Sequence, residues 1–214
     1  MTFDALLRIV GALPWFDLVT LKTLVPRERD TLPVQLYRWK QAGRVIELRR
    51  GLYALADPFR RAPLHGPAVA SALCRPSYLS LEWALSWYGV VPEKAGTFTS
   101  VTTRERRTIR NELGVFTYRT VTPALFFGHT VARIVDAEVR IATSEKALVD
   151  LWYLGAGEWT PERMESMRFD ADAVPDRDRL RAVVDQANRP RLRRAFAAWL
   201  EYSGVSADDQ VVSG

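Results

Sequence analysis

Residues 34–55, VQLYRWKQAGRVIELRRGLYAL, change their apolar period at Gly43, and no other stretch of the chain constrains its fold as much. Ahead of the glycine, Leu32, Leu36 and Trp39 are spaced by four and three, which places them on one face of a helix. Val34, Tyr37, Arg38 and Gln41 then point away from that face. Gly43 stands where the helix must stop, because glycine reaches positive φ without a Cβ clash. Beyond it, Ile46 and Leu48 alternate with polar neighbours, as on a half-buried strand. Arg49-Arg50-Gly51 reads as a tight turn and residues 52–55 as the returning strand. The unit is therefore helix, short turn, β-hairpin.

Upstream, Asp17 is placed to cap a helix over residues 18–24, and Val25-Pro26 end it. Residues 27–30 make a charged turn. Thr31 is expected to cap the next helix, with Pro33 in its first turn. A further helix fits residues 2–13, with Leu6, Leu7 and Val10 on one side. Helix, helix, turn, helix and hairpin, in that order, is the layout of a winged helix-turn-helix.

Charge agrees with that layout. The chain carries a net charge of +5; residues 1–66 hold eleven Lys/Arg against six Asp/Glu, and the rest of the chain is balanced. An excess confined to one small module is expected where that module meets a polyanion. In a DNA complex, Arg38 and Gln41 would reach base edges in the major groove. Arg27, Arg29, Arg44, Arg49 and Arg50 would neutralise phosphates, and Thr31 and Tyr37 complete the DNA-facing set. The competing explanation is a winged helix used for protein contacts, its arginines merely solvated.

DPFRRAPLHG, residues 57–66, has two prolines, a glycine and little periodicity, and reads as a linker. The expected organisation is α+β: a DNA-binding domain over 1–56, the linker, and a mixed α/β domain over 67–203. That second domain has an α/β core at 67–155 and a helical part at 177–203. A disordered tail is expected over 204–214. Within the core, PAVASAL and SLEWALSWYG suggest helices, the second stopping at Gly89. TFTSVT, GVFTYRTV and AEVRIA suggest strands; Val135, Ala137, Val139 and Ile141 alternate with Asp136, Glu138 and Arg140. In ATSEKALVDLWY, residues 142–153, Thr143 or Ser144 can cap a helix whose apolar stripe is Ala147, Leu148, Leu151 and Trp152. Lys146 and Asp150, four apart, are expected to pair on its opposite side. Residues 156–176 are acidic and weakly periodic, and a last helical region spans 178–202 with a break near Pro190.

Nothing in this pattern requires catalysis, a cofactor or a metal. His65 and His129 stand without ligand spacing around them. Asp136, Glu138 and Arg140 resemble the tail of a nuclease motif, but strand amphipathicity explains them. Phosphate loops, nucleophile elbows and zinc signatures do not occur. Ser144, Glu145, Lys146 and Asp150 could form a polar site; a cap plus an i,i+4 pair explains the same residues. TRERRTIR, residues 103–110, is a second basic run, suited to an acidic surface, to nucleic acid or to solvent. The single cysteine, Cys74, excludes a disulfide framework and fits a reducing cytosol. No apolar run reaches a membrane-spanning length, and the N-terminus does not read as a signal peptide.

Five stretches in order, RVIELRRGLYAL, PSYLSLEWALSWYGVVPE, TFTSVTTRER, VFTYRTV and IATSEKALVDLWY, make the chain resemble the AbiEi-type antitoxins. They cover most of residues 30–155. Many members have proline where this chain has Ser144. The resemblance implies a cytoplasmic autorepressor whose N-terminal domain binds repeats in its own promoter. The second domain would antagonise a nucleotidyltransferase toxin of the AbiEii type, with or without a stable complex. Arg104, Arg106, Arg107, Ser144, Glu145, Lys146 and Asp150 are the candidates for that antagonism. Two alternatives are an antitoxin that covalently modifies its toxin and a ligand-responsive transcription factor.

Overall fold

A computed structural model describes residues 1–28, 30–92 and 95–204. Arg29 and the tail beyond Gly204, both named above, lie outside the described residues. The architecture is mixed α and β, with a three-stranded and a six-stranded sheet.

The N-terminal unit begins with α1 (Phe3–Val10), whose first turn is capped by the Thr2 hydroxyl accepting from the Ala5 N–H. A short strand, β1 (Phe16–Asp17), leads into α2 (Leu18–Leu24). Asp17 caps α2 as expected, accepting from the Thr20 N–H at 2.7 Å and its hydroxyl at 2.6 Å. A 3₁₀ turn over Pro26–Glu28 then precedes α3 (Leu32–Gln41). Thr31 does not cap α3: its backbone is already helical, and its hydroxyl donates backwards to the Glu28 carbonyl. Pro33 supplies the first turn instead. Gly43, at φ +66°, turns the chain into β2 (Val45–Arg49), and Gly51, at φ +81°, turns it again into β3 (Leu52–Leu55). β3 is central, in the order β1-β3-β2.

The hairpin does not alternate as its sequence suggested. A bulge between Glu47 and Arg49 breaks the register. Val45 and Leu48, three residues apart, are therefore both buried, while Ile46 is only partly covered. The two serve different cores. Val45 and Leu55 join Leu6, Val10, Phe16, Leu21, Leu32 and Leu36 in a small N-terminal core. Leu48, Leu52 and Ala54 belong to the large core of residues 68–199. The Asn111 side-chain amide also donates to the Leu48 carbonyl at 3.0 Å. Residues 57–66 are pinned at both ends: Phe59 packs edge-on against Phe3, and Leu64 packs on the large core.

The rest of the chain is built on a six-stranded mixed sheet. After α4 (Gly66–Leu73) come β4 (Ser77–Leu79), α5 (Leu81–Trp87), β5 (Thr97–Thr102), β6 (Arg107–Asn111), β7 (Gly114–Thr120), β8 (His129–Ile134) and β9 (Ala137–Ala142). Their order across the sheet is β6-β7-β5-β4-β9-β8, with β5/β7 and β4/β9 parallel and the other pairs antiparallel. TRERRTIR supplies most of an edge strand, and Val135, read as strand, lies exposed in the β8–β9 turn at φ +56°.

α6 (Ser144–Leu154) follows β9, capped by Thr143, whose hydroxyl oxygen accepts from the Lys146 N–H. It packs on α5 and also on the C-terminal helices. Every residue from Glu145 to Trp152 is consequently buried, charged ones included. α7 (Pro161–Ser166), α8 (Arg177–Ala187) and α9 (Pro190–Tyr202) close that side; the α8–α9 break falls at Asn188, in the left-handed region, with Pro190 opening α9. Among the described residues, no helix is long and apolar enough to cross a membrane.

Candidate nucleic-acid interface

α3 lies with Leu32 and Leu36 inward, so its spacing leaves Val34, Tyr37, Arg38 and Gln41 outside. Val34 is 53% exposed and Tyr37 62%, much for large side chains on a folded surface. Arg38 is exposed and in no ion pair among the described residues. Lys40 is different: it pairs with Glu47 on β2, and that hydrogen bond raises its pKa. Arg44, at the end of the helix, holds its guanidinium 5.1 Å from the Phe3 ring centre and so is oriented by α1. Arg27 and Thr31 are exposed just ahead of the helix.

Arg49 and Arg50 sit at the other end of the hairpin. Five residues of strand separate Arg49 from Arg44, roughly 16 Å at about 3.3 Å per residue. The turn is anchored by the Leu18 N–H donating to the Gly51 carbonyl. It faces a groove of about 840 Å³ between the N-terminal unit and the body of the protein. Arg75, Arg104 and Arg107 line the same groove. The structure thus divides the expected DNA-facing residues into a helix group and a turn group. It gathers Arg104 and Arg107 with the turn; Arg106 is exposed nearby in sequence but does not line the groove. Arg75 was not visible as a candidate, since it stands alone in sequence and only the fold brings it to the others.

The expected pair Lys146–Asp150 forms, but not on an exposed face. Both side chains are sealed from solvent, at 1% and 2% exposure. Lys146 Nζ donates to Asp150 and, at 3.0 Å, to the Tyr78 hydroxyl. Asp150 Oδ2 accepts from the Tyr78 hydroxyl at 3.0 Å and from the Ser80 hydroxyl at 2.8 Å. The Phe127 ring covers the ammonium at 5.1 Å, and His129 stacks on Tyr78 at 4.7 Å. Burial pushes Lys146 down and Asp150 up, each opposed by its partner, and burial raises Tyr78 strongly.

This cluster ties α6 to β4 and the β8 approach. It cannot meet a macromolecule, because Glu145, Lys146 and Asp150 all lie below the surface; of the four residues considered for a polar site, Ser144 alone is partly exposed. The reason is the number of neighbours around α6: one apolar stripe was expected, and the helix is enclosed on all sides. A signal was present in the sequence. Lys146 and Asp150 are embedded in Ala147, Leu148, Val149, Leu151 and Trp152, too apolar a run to present a solvated face. Among the described residues, no three His, Cys, Asp or Glu side chains converge on a metal position. Neither protein-family models nor curated proteins give a match to the chain.

Proposed function

We propose that the chain is a DNA-binding antitoxin of the AbiEi type, which represses its own promoter and opposes a nucleotidyltransferase toxin. One observation carries the DNA-binding half. Three helices and a three-stranded sheet in the order β1-β3-β2 carry α3 with Leu32 and Leu36 buried and Arg38 and Gln41 exposed along it. Such an order of elements supports reading the unit as a winged helix-turn-helix, in which the third helix would enter the major groove and the hairpin would serve as the wing. Arg27 and Arg44 flank the helix where backbone phosphates would run. The antitoxin half rests on the ordered resemblance of the five stretches named above, and with it the cytoplasmic setting. An enzymatic mode of antagonism draws no support from Lys146 and Asp150, which substrate could not reach.

The test has two arms. Binding to duplexes from the region upstream of the chain's own reading frame is compared with binding to scrambled duplexes across a salt series. Preference for the upstream region, with a steep salt dependence, is expected. Growth is then scored when the chain is co-expressed with a nucleotidyltransferase encoded next to it. Absence of duplex binding at low salt would refute the first half, and absence of rescue by a folded chain the second.

A further inference from the structure

The groove between the hairpin turn and the body has a lining of two unlike kinds. Five arginines line it: Arg49 and Arg50 from the turn, Arg75 from the segment between α4 and β4, and Arg104 and Arg107 from the β5–β6 region. All five are exposed, and among the described residues none of them is in an ion pair. Among the described residues the single carboxylate lining the groove, Asp17, is spent on Thr20, whose hydrogen bonds lower its pKa. The same groove also has an exposed apolar lining. Leu13, Val19 and Leu24 contribute to it at 45%, 76% and 59% exposure.

We infer that this groove docks an acidic, amphipathic polypeptide segment of a partner protein. Arg49, Arg75 and Arg107 each donate one N–H to a backbone carbonyl. The five guanidiniums, none with a carboxylate partner among the described residues, call for carboxylates or phosphates, which guanidinium binds in bidentate fashion. The apolar lining decides between them. Duplex DNA presents phosphate and sugar to arginines, hydroxyls and backbone amides, and would leave Leu13, Val19 and Leu24 without partners. A peptide with leucines on one face and glutamates on the other satisfies the apolar and the cationic lining at once, as amphipathic helices do in apolar grooves rimmed by charge. Because Arg49 and Arg50 belong both to the groove and to the proposed wing, such a segment displaces DNA phosphates from the turn. That coupling rests on the DNA-binding function proposed above; the docking does not.

The probe is a fluorescein-labelled peptide with Leu at helical spacing and Glu elsewhere, followed by anisotropy on the full chain. Controls replace its Glu by Lys or its Leu by Ser. The Glu/Leu peptide should bind best, each control at least about tenfold more weakly. Arg75→Glu with Arg104→Glu and Arg107→Glu should weaken it by about tenfold or more, and Val19→Asp with Leu24→Asp by a similar factor. These side chains are exposed, so unchanged far-UV circular dichroism and thermal midpoint should accompany both losses. A peptide that binds no better than its Lys control overturns the inference. So does loss of duplex binding in the triple-Glu variant with no peptide binding in the parent, which would give the groove to DNA. If the peptide binds and the chain binds no duplex, the docking stands and the DNA-binding function falls. If both bind without competing, the coupling falls.

Discussion

Lys146 and Asp150 stand one helical turn apart on α6 and pair inside the protein, with Tyr78 and Ser80 completing the carboxylate's hydrogen bonds. A surface pair of the same spacing contributes about 0.5 kcal/mol or less. Here, removing one partner leaves the other charge buried. Lys146→Ala should cost about 3–5 kcal/mol, read from urea denaturation midpoints. Lys146→Met with Asp150→Leu should cost less than the two single changes summed, since no uncompensated charge remains. A loss below 1 kcal/mol for Lys146→Ala would show that the pair is not sealed.

Gly128 supports the same centre. It sits at φ +68°, and a Cβ placed on it would come within 3.0 Å of Lys146 Cγ. Gly128→Ala therefore meets both backbone strain and a tight contact with a side chain fixed by three partners. A destabilisation of about 1–3 kcal/mol is expected, and combining it with Lys146→Ala should give less than additive loss. Full additivity would place the strain elsewhere.

His129 gives the protein a pH dependence with a definite sign. Burial is the first cause that holds its pKa below the ordinary imidazole value, and the Arg140 charge is the second; Lys146 adds to the lowering and Asp150 opposes it. The unfolded chain then binds the proton more readily than the folded one. The contribution of His129 to stability is accordingly constant above about pH 7 and falls as pH drops through the unfolded value of about 6.5 towards the lower folded value. His129→Phe keeps a ring stacked on Tyr78 and removes the proton site, so its stability should change less between about pH 7 and 5 than that of the parent chain. An unaltered slope in that variant would assign the dependence to other groups.

Arg38 tests whether α3 reads sequence. If it meets a guanine edge, Arg38→Ala should reduce the preference for upstream over scrambled duplex by about 1–3 kcal/mol and leave weak binding to both. Equal losses on the two duplexes would make it a phosphate contact.

Local order was legible where one signal decided it. The Gly43 and Gly51 turns, the Asp17 cap, the Thr143 cap and the break ahead of Pro190 each depend on residues adjacent in sequence. What escaped depends on distant partners. β4 is three residues long and gains its identity from β5 and β9 on either side. β6 lies at an edge and shows alternating polar residues, so its pattern matched a solvated basic run. Tyr78 and Ser80 reach Asp150 across about seventy residues of chain, and no spacing rule connects them. The bulge in β2 hid the fact that Leu48 leaves the N-terminal core for the other one.

That last displacement bears on whether the N-terminal unit can be isolated. Charge and a proline-bearing linker invite a cut at residue 66. Leu48 and Leu52 are 1% and 4% exposed, yet they belong to the core of the remaining body. Cutting there uncovers both, at about 1.5–3 kcal/mol for each leucine, in a unit already small enough to be marginal. A fragment of residues 1–66 should therefore associate or melt well below the whole chain by circular dichroism. Leu48→Thr with Leu52→Thr discriminates the cause. In the whole chain the double change should cost about 2–5 kcal/mol, because it hollows a packed core. In the fragment, where neither leucine has a partner, it should leave the thermal midpoint unchanged and reduce association measured by analytical ultracentrifugation. A monomeric 1–66 fragment melting with the intact protein would show that the hairpin needs nothing from the body.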